Sequence, residues 1–344
     1  MEHKLSPGPL LDSNGHLCEA GYATSLVKTY DRKAIKANGL RIKEWDYYLI
    51  YNDRFGIALT VDDNSYMSML SASILDFTTP GETTVSPIGF MPMGKTNLPP
   101  TSASGESKLA IGKSEFTFTV QEDGSRRLKG HLEKFKNGKP FVFDVLLTDE
   151  PQDSMVIATP FAEKKIAFYY NQKIIGMRAS GTVNAGGDEY VFDPSESFGM
   201  LDWGRGVWTY SNTWYWGAGH GIVDGKVVGF NIGYGFGDTS AASENMIFVD
   251  GKAHKFEKVS FNIPKTADGK DDFLKPWTFT SSDGKFEMEF EPIIDRASRT
   301  NVVLIESDQH QVFGKFNGTM ILDDGYAIQL KDFLGFAEKV KNRW

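Results

Sequence analysis

Asp-Gly and Asn-Gly dipeptides recur between runs of alternating apolar residues, at Asp123-Gly124, Asn137-Gly138, Asp224-Gly225, Asp250-Gly251, Asp283-Gly284 and Asp324-Gly325. These residue types tolerate the positive φ of a type I′ turn, whose twist matches that of the two strands it joins. A chain punctuated this way is expected to form antiparallel meanders rather than βαβ crossovers. Aromatic residues at 13%, with 25 Phe and 35 Gly, point the same way, to an all-β protein. At 344 residues two domains are more economical than one. Gly186-Gly187-Asp188 and Asp193-Pro194-Ser195 are breakers, so the boundary is expected near 184–198, giving domains 1–190 and 191–344. Residues 1–24 read as an irregular leader and 79–108 as a long Thr/Ser/Pro/Gly-rich excursion. Asp332–Lys341 (DFLGFAEKVK) is the clearest helix candidate, weakened by Gly335.

Residues 201–245 carry most of the functional signal. Four of the seven tryptophans (Trp203, Trp208, Trp214, Trp216) fall within fourteen residues, among Tyr234, Phe236, several glycines and the charges of Asp202, Arg205, Asp238 and Glu244. Rigid apolar surfaces, a few fixed charges and glycines that admit close approach are what a ligand pocket is made from. An aromatic barrel core would have the same composition. The alternation puts Trp214 and Trp216 on one strand face and Tyr215 on the other. Across the Asp224-Gly225 turn, Phe230, Ile232 and Tyr234 share a face, and Asn231, Gly233 and Gly235 the opposite one. Gly233–Asp238 resembles a phosphate loop only superficially, because strands rather than a βαβ unit surround it.

Protonating an alkene requires a carboxylic acid kept neutral and dry, with aromatic faces beside the developing cation. Asp202, Asp238 and Glu244 are the candidate acids. Trp203, Arg205, Trp208, Trp214, Trp216, His220, Asn231, Tyr234 and Phe236 are the candidate ligand contacts. Trp203-Gly204 allows a bend that would turn Asp202 and Arg205 toward one pocket, with the Arg205 guanidinium a planar donor fork. Two of the acids also have a structural alternative: an ion pair of Asp202 with Arg205 or Arg41, and a turn or helix cap for Asp238. Glu44 and Asp46 flank Trp45 on one strand face, where pairing with Arg41 and Lys43 is the better account.

A net charge of −8 argues against nucleic acid as partner. No apolar run is long enough for a transmembrane segment. The N-terminal residues lack a secretion signal, and the single cysteine, Cys18, fits a reducing compartment, so a cytoplasmic protein is expected. The histidines show no metal-ligand spacing and no serine-nucleophile elbow appears; no metal or cofactor is expected. Oligomeric state is not legible.

The segments Arg41–Tyr48 (RIKEWDYY), Leu201–Gly206 (LDWGRG), Trp214–Gly217 (WYWG), Gly233–Asn245 (GYGFGDTSAASEN), Gly335–Glu338 and Asn342–Trp344 together resemble a bacterial domain-of-unknown-function family. That family distantly resembles the lipocalin-like group of AttH-type proteins, carotenoid 1,2-hydratases and tocopherol cyclase. The resemblance implies two calycin/lipocalin-like antiparallel β-barrels and, more remotely, acid-assisted hydration or cyclisation of an isoprenoid or other lipid. Three functions are then in play. The first is a hydratase, cyclase or isomerase on a hydrophobic or amphipathic small molecule. The others are a non-catalytic binder of such a molecule, and carbohydrate binding or hydrolysis.

Overall fold

The structure, a computed structural model, describes residues 2–302 and 305–343. Its helices, among the described residues, are two single 3-10 turns, Arg32–Ala34 and Gly39–Arg41; the remaining regular structure is strand. The turn dipeptides sit where the hairpins need them. Asn137 and Gly138 have φ of 55° and 74°, Asp224 and Gly225 51° and 77°, and Asp250 and Gly251 47° and 78°. These are the paired positive values of a type I′ turn.

Two large antiparallel sheets result, of fourteen and nine strands among the described residues. The strands that matter below are numbered in chain order. The first sheet contributes β1 (Ile42–Tyr51), β2 (Phe55–Asp63), β3 (Met67–Asp76), β4 (Ile88–Phe90), β5 (Phe168–Ala185) and β6 (Phe198–Val207). The second contributes β7 (Ser211–Val223), β8 (Lys226–Tyr234), β9 (Phe286–Val302), β10 (Ile305–Ile321) and β11 (Ala327–Arg343). Their spatial orders are β3-β2-β1-β6-β5 and β8-β7-β11-β10-β9. Each sheet has its own apolar interior, and the two press together along a shared seam. Leu49, Met200 and Ile175 of the first sheet lie there in one continuous core with Ala218, Phe313 and Phe336 of the second.

Two expectations need correction. The chain leaves the first sheet between Val207 and Ser211, not near residue 190, because β6 is hydrogen-bonded between β1 and β5 along its whole length. Asp332–Lys341 is not a helix but the middle of β11, paired with β7 and β10. Its apolar residues do not alternate because both faces are buried. Leu334 and Phe336 enter the core shared with the first sheet, while Phe333 and Ala337 enter the interior of the second. A strand covered on both sides loses the period of two that marks a half-buried one.

The leader is also more ordered than its composition suggests. Gly21–Ala23 pairs with Met155–Pro160 of the first sheet. The Glu2 carboxylate accepts from the Ser243 amide at 2.9 Å and pairs with Lys255 at 2.7 Å, so the leader straps one sheet to the other.

Candidate functional site: the seam between the sheets

Strand register defines both walls of the seam. On the first sheet, Lys173, Asp202, Tyr47 and Thr60 stand side by side on β5, β6, β1 and β2. On the second, Trp216, Glu338, Gln311 and Arg296 do the same on β7, β11, β10 and β9. The rows face each other. The Lys173 ammonium lies 4.9 Å from the Trp216 ring, and the Tyr47 hydroxyl donates to Gln311 Oε1 at 3.3 Å. The adjoining rows toward solvent are Asn171, Gly204, Trp45 and Asp62 on one wall, and Trp214, Val340, Gln309 and Ser298 on the other. Exposure rises along this direction on some strands only: Trp45 and Trp214 are half-buried and Ser298 exposed, whereas Asn171, Gly204, Asp62 and Val340 stay buried.

Gly204 and Gly206 explain why LDWGRG carries glycine where it does. A Cβ on Gly204 would collide with the Trp45 indole, and one on Gly206 with the Phe168 carbonyl of the neighbouring strand β5. Bare backbone at Gly204 lets the Trp45 ring lie against β6. Trp45 thereby reaches Asp202, donating Nε1–H to Oδ2 at 3.1 Å. Trp45, Trp208, Trp214 and Phe236 then pack edge to face, with centroids 4.9–5.8 Å apart.

Three carboxyls share this dry space with one ammonium. Lys173 Nζ bonds Glu244 Oε2 at 2.9 Å and lies 3.8 Å from Asp202 Oδ1. It also donates to Asn171 Oδ1 at 2.7 Å and to the Tyr169 hydroxyl at 3.2 Å. Asp202 further accepts from Asn171 Nδ2 at 2.5 Å. Burial pushes its pKa above the usual carboxylate range despite the Lys173 charge and these hydrogen bonds.

Glu338 differs. Among the described residues it accepts only neutral donors, Trp214 Nε1 at 3.0 Å and Gln311 Nε2 at 3.1 Å. Gln311 is oriented for this because its own oxygen takes the Arg296 guanidinium at 2.9 Å as well as Tyr47. Burial, reinforced by the nearby Asp202 charge, drives Glu338 up to about 7 against the opposing pull of Trp214, Arg296 and Lys173. A carboxyl poised near neutrality can both give and take a proton, the requirement for general acid–base work.

The structure thus brings together Asp202, Glu244, Trp208, Trp214, Trp216, Asn231 and Phe236. Asn231 supports the group from behind, accepting from Trp216 Nε1 at 2.8 Å and donating to the Glu244 carbonyl at 2.8 Å. The remaining candidates lie elsewhere. Asp238 is exposed, and the hydrogen bond it accepts from the Ser240 amide lowers its pKa, the reverse of what a stored acid needs. Arg205 and Trp203 face the interior of the first sheet, opposite to Asp202, since residues three apart on a straight strand have opposite parity. The expected bend at Trp203-Gly204 does not occur. Arg205 instead bonds Asp46 at 3.1 Å and the Trp45 carbonyl at 2.8 Å, and lies over the Trp203 ring at 4.4 Å. Asp46 and Glu44 are accordingly held by Arg205 and Arg32, not by Arg41 and Lys43. His220 occupies the apolar end of the seam, stacked on Tyr51 at 4.2 Å, where burial lowers its pKa to about 3 and keeps it neutral. Tyr234 belongs to the second sheet's other face, stacked on Tyr215 at 4.6 Å.

Sequence reasoning missed Lys173, Gln311, Arg296 and, above all, Glu338. Glu338 lies in the segment read as helical; as a strand, that segment puts Phe336, Glu338 and Val340 on the face of Trp214 and Trp216. Among the described residues no three His, Cys, Asp or Glu gather as a metal site. No helix among them is long and apolar enough to cross a membrane.

Three solved structures are similar in fold. They are a protein assigned as AttH from Nitrosomonas europaea (14% identity, 91% of this chain and 96% of that one, TM-score 0.56), kievitone hydratase from Nectria haematococca (12%, 93% and 97%, 0.51), and CghA with Sch210972 (11%, 98% and 97%, 0.54). No curated protein matches the chain. Over residues 2–344 it matches the domain of unknown function DUF2804, and it belongs to that family.

Proposed function

We propose that the seam is an active site for acid–base addition or rearrangement at a carbon–carbon double bond of an apolar or amphipathic small molecule, as a hydratase, cyclase or isomerase. The carrying observation is Glu338: a buried carboxyl with a pKa near 7, held by two neutral donors among indole rings. The fold shared with kievitone hydratase supports the reading, and its name describes such an addition.

In the hydration form, the Glu338 carboxyl protonates one alkene carbon. The indole faces of Trp214 and Trp45 stabilise the positive charge developing on its neighbour. A water oxygen adds there, and its proton returns to the Glu338 carboxylate. Asp202, bound to Trp45 and Asn171 and beside Lys173, is the fixed negative charge opposite. In the isomerising or cyclising form, the second proton leaves a substrate carbon and the mass is unchanged.

The test is incubation of the protein with a panel of isoprenoid and enone substrates in H218O, followed by mass spectrometry. Products gain one labelled water, or keep their mass and change retention time. Glu338→Gln should lower turnover at least ~100-fold, the usual scale for losing a general acid. If panel compounds bind with equal affinity to wild type and Glu338→Gln and none is converted, the protein is a carrier and the reading fails.

A further inference from the structure

The wall that carries Asp62 and Trp45 does not stop at β2. Asp62 stands opposite Met69 of β3, and Met69 and Met67 stand opposite Ile88 and Phe90 of β4. Directly opposed residues of an antiparallel pair share a face. The lining of the seam therefore runs outward, through two methionines, to side chains at the molecular surface. Phe90 is 85% exposed, the most exposed large apolar side chain among the described residues. Met91, Ile88, Met93 and Leu40 are exposed beside it, with Met93 packed toward Gly39.

This rim is built rather than loose. Met91 and Met93 both take left-handed backbone, with φ of 54° and 52°. Their amides are tied to the Tyr66 and Ser65 carbonyls at 2.9 and 3.0 Å. Asp63 holds the next turn through the Gly94 amide at 2.9 Å and the Thr96 hydroxyl at 2.6 Å. A backbone conformation that non-glycine residues avoid is thus maintained by specific bonds, with apolar side chains directed at water.

Lys95 is exposed within the rim turn itself, and the Arg32 side chain lies against Gly94. Of the nearby acids, Glu44 and Asp63 are buried and engaged, and Asp31 caps the Lys33 amide at 2.8 Å. The whole chain carries −8.

We propose that this rim docks on an anionic lipid bilayer, inserting Phe90 and Met91, and that the seam receives its apolar substrate from that surface. The second clause rests on the catalytic reading above; the docking does not. Apolar side chains entering the interface with basic side chains against anionic headgroups are the two signals that reversible membrane attachment needs.

The test is co-sedimentation of the full chain with phosphatidylcholine vesicles, with and without one third phosphatidylglycerol. Binding should be at least ~5-fold stronger to the anionic vesicles and should weaken with salt. Phe90→Asp and Met91→Asp should each lower it about tenfold with unchanged thermal melting, because both side chains are exposed. Lys95→Glu should weaken the anionic preference. Glu338→Gln should bind vesicles as wild type does, so loss of turnover and loss of docking are separable. Failure of wild type to sediment with either vesicle, or full binding by Phe90→Asp, overturns the proposal. So does a dimer in gel filtration that Phe90→Asp converts to monomer, which would assign the rim to a second copy of the chain.

Discussion

Glu338 shows how much the surroundings of a single carboxyl decide. Asp202 and Glu244 have a cation within 4 Å, whereas Glu338 has an indole and an amide. The sign of the stability effect follows. Raised from an ordinary 4.5 to about 7, the folded protein holds a proton that the unfolded chain has released. That contribution is complete below about 4.5 and is lost as pH rises through 7. Glu338→Gln should therefore melt at higher temperature than wild type above pH 7, with the difference shrinking toward pH 5. The gain is at most about 3 kcal/mol on the rule of ~1.4 kcal/mol per pH unit. Melting curves from pH 5 to 8 check it; equal slopes for both proteins would exclude a stored proton. At this scale the sequence was half legible. Asp202, Trp208, Trp214 and Trp216 announce themselves by crowding. Glu338, Gln311 and Lys173 come from strands far apart in the chain, and nothing local marks them until register sets them side by side.

At the scale of elements, β11 is the strand on which the architecture turns. It belongs to the second sheet by hydrogen bonding and to both cores by packing. Phe336, fully buried, sits edge-on to Trp216 at 4.7 Å and beside Phe313 at 5.8 Å. Phe336→Ala should cost about 3–5 kcal/mol in urea unfolding, as large-to-small changes in dry cores do. A loss under 1 kcal/mol would show that the seam repacks freely. The hairpins were readable because a type I′ turn has a strict chemical requirement that Asp-Gly and Asn-Gly meet. β11 was not, because a strand buried on both faces and a helix of the same length carry similar apolar runs. β6 escaped for a related reason. The breakers near residue 190 do mark a turn, but the strand after it returns to the sheet just left.

For the whole molecule, the seam makes two sheets one cooperative object. Residues of both lie in a single buried cluster, the leader is bound to each, and Tyr51 donates across to the Leu334 carbonyl at 3.2 Å. Calorimetry should show one transition, with equal calorimetric and van't Hoff enthalpies. Two separated peaks would mean that the sheets are independent domains. The sharing of Lys173 by Asp202, Glu244 and, at longer range, Glu338 has a further consequence, which concerns ligand selectivity. A site in which two carboxylates already share one ammonium would screen its guests by sign before it screens them by shape. On the proposed function, a long-chain alcohol or ketone would lie along the tryptophans, whereas the corresponding fatty acid would bring a further carboxylate beside Asp202 and Glu244 and be turned away. Matched alcohol and acid, compared by calorimetric titration, would expose that filter as a tighter alcohol, and equal affinities would show that it is absent.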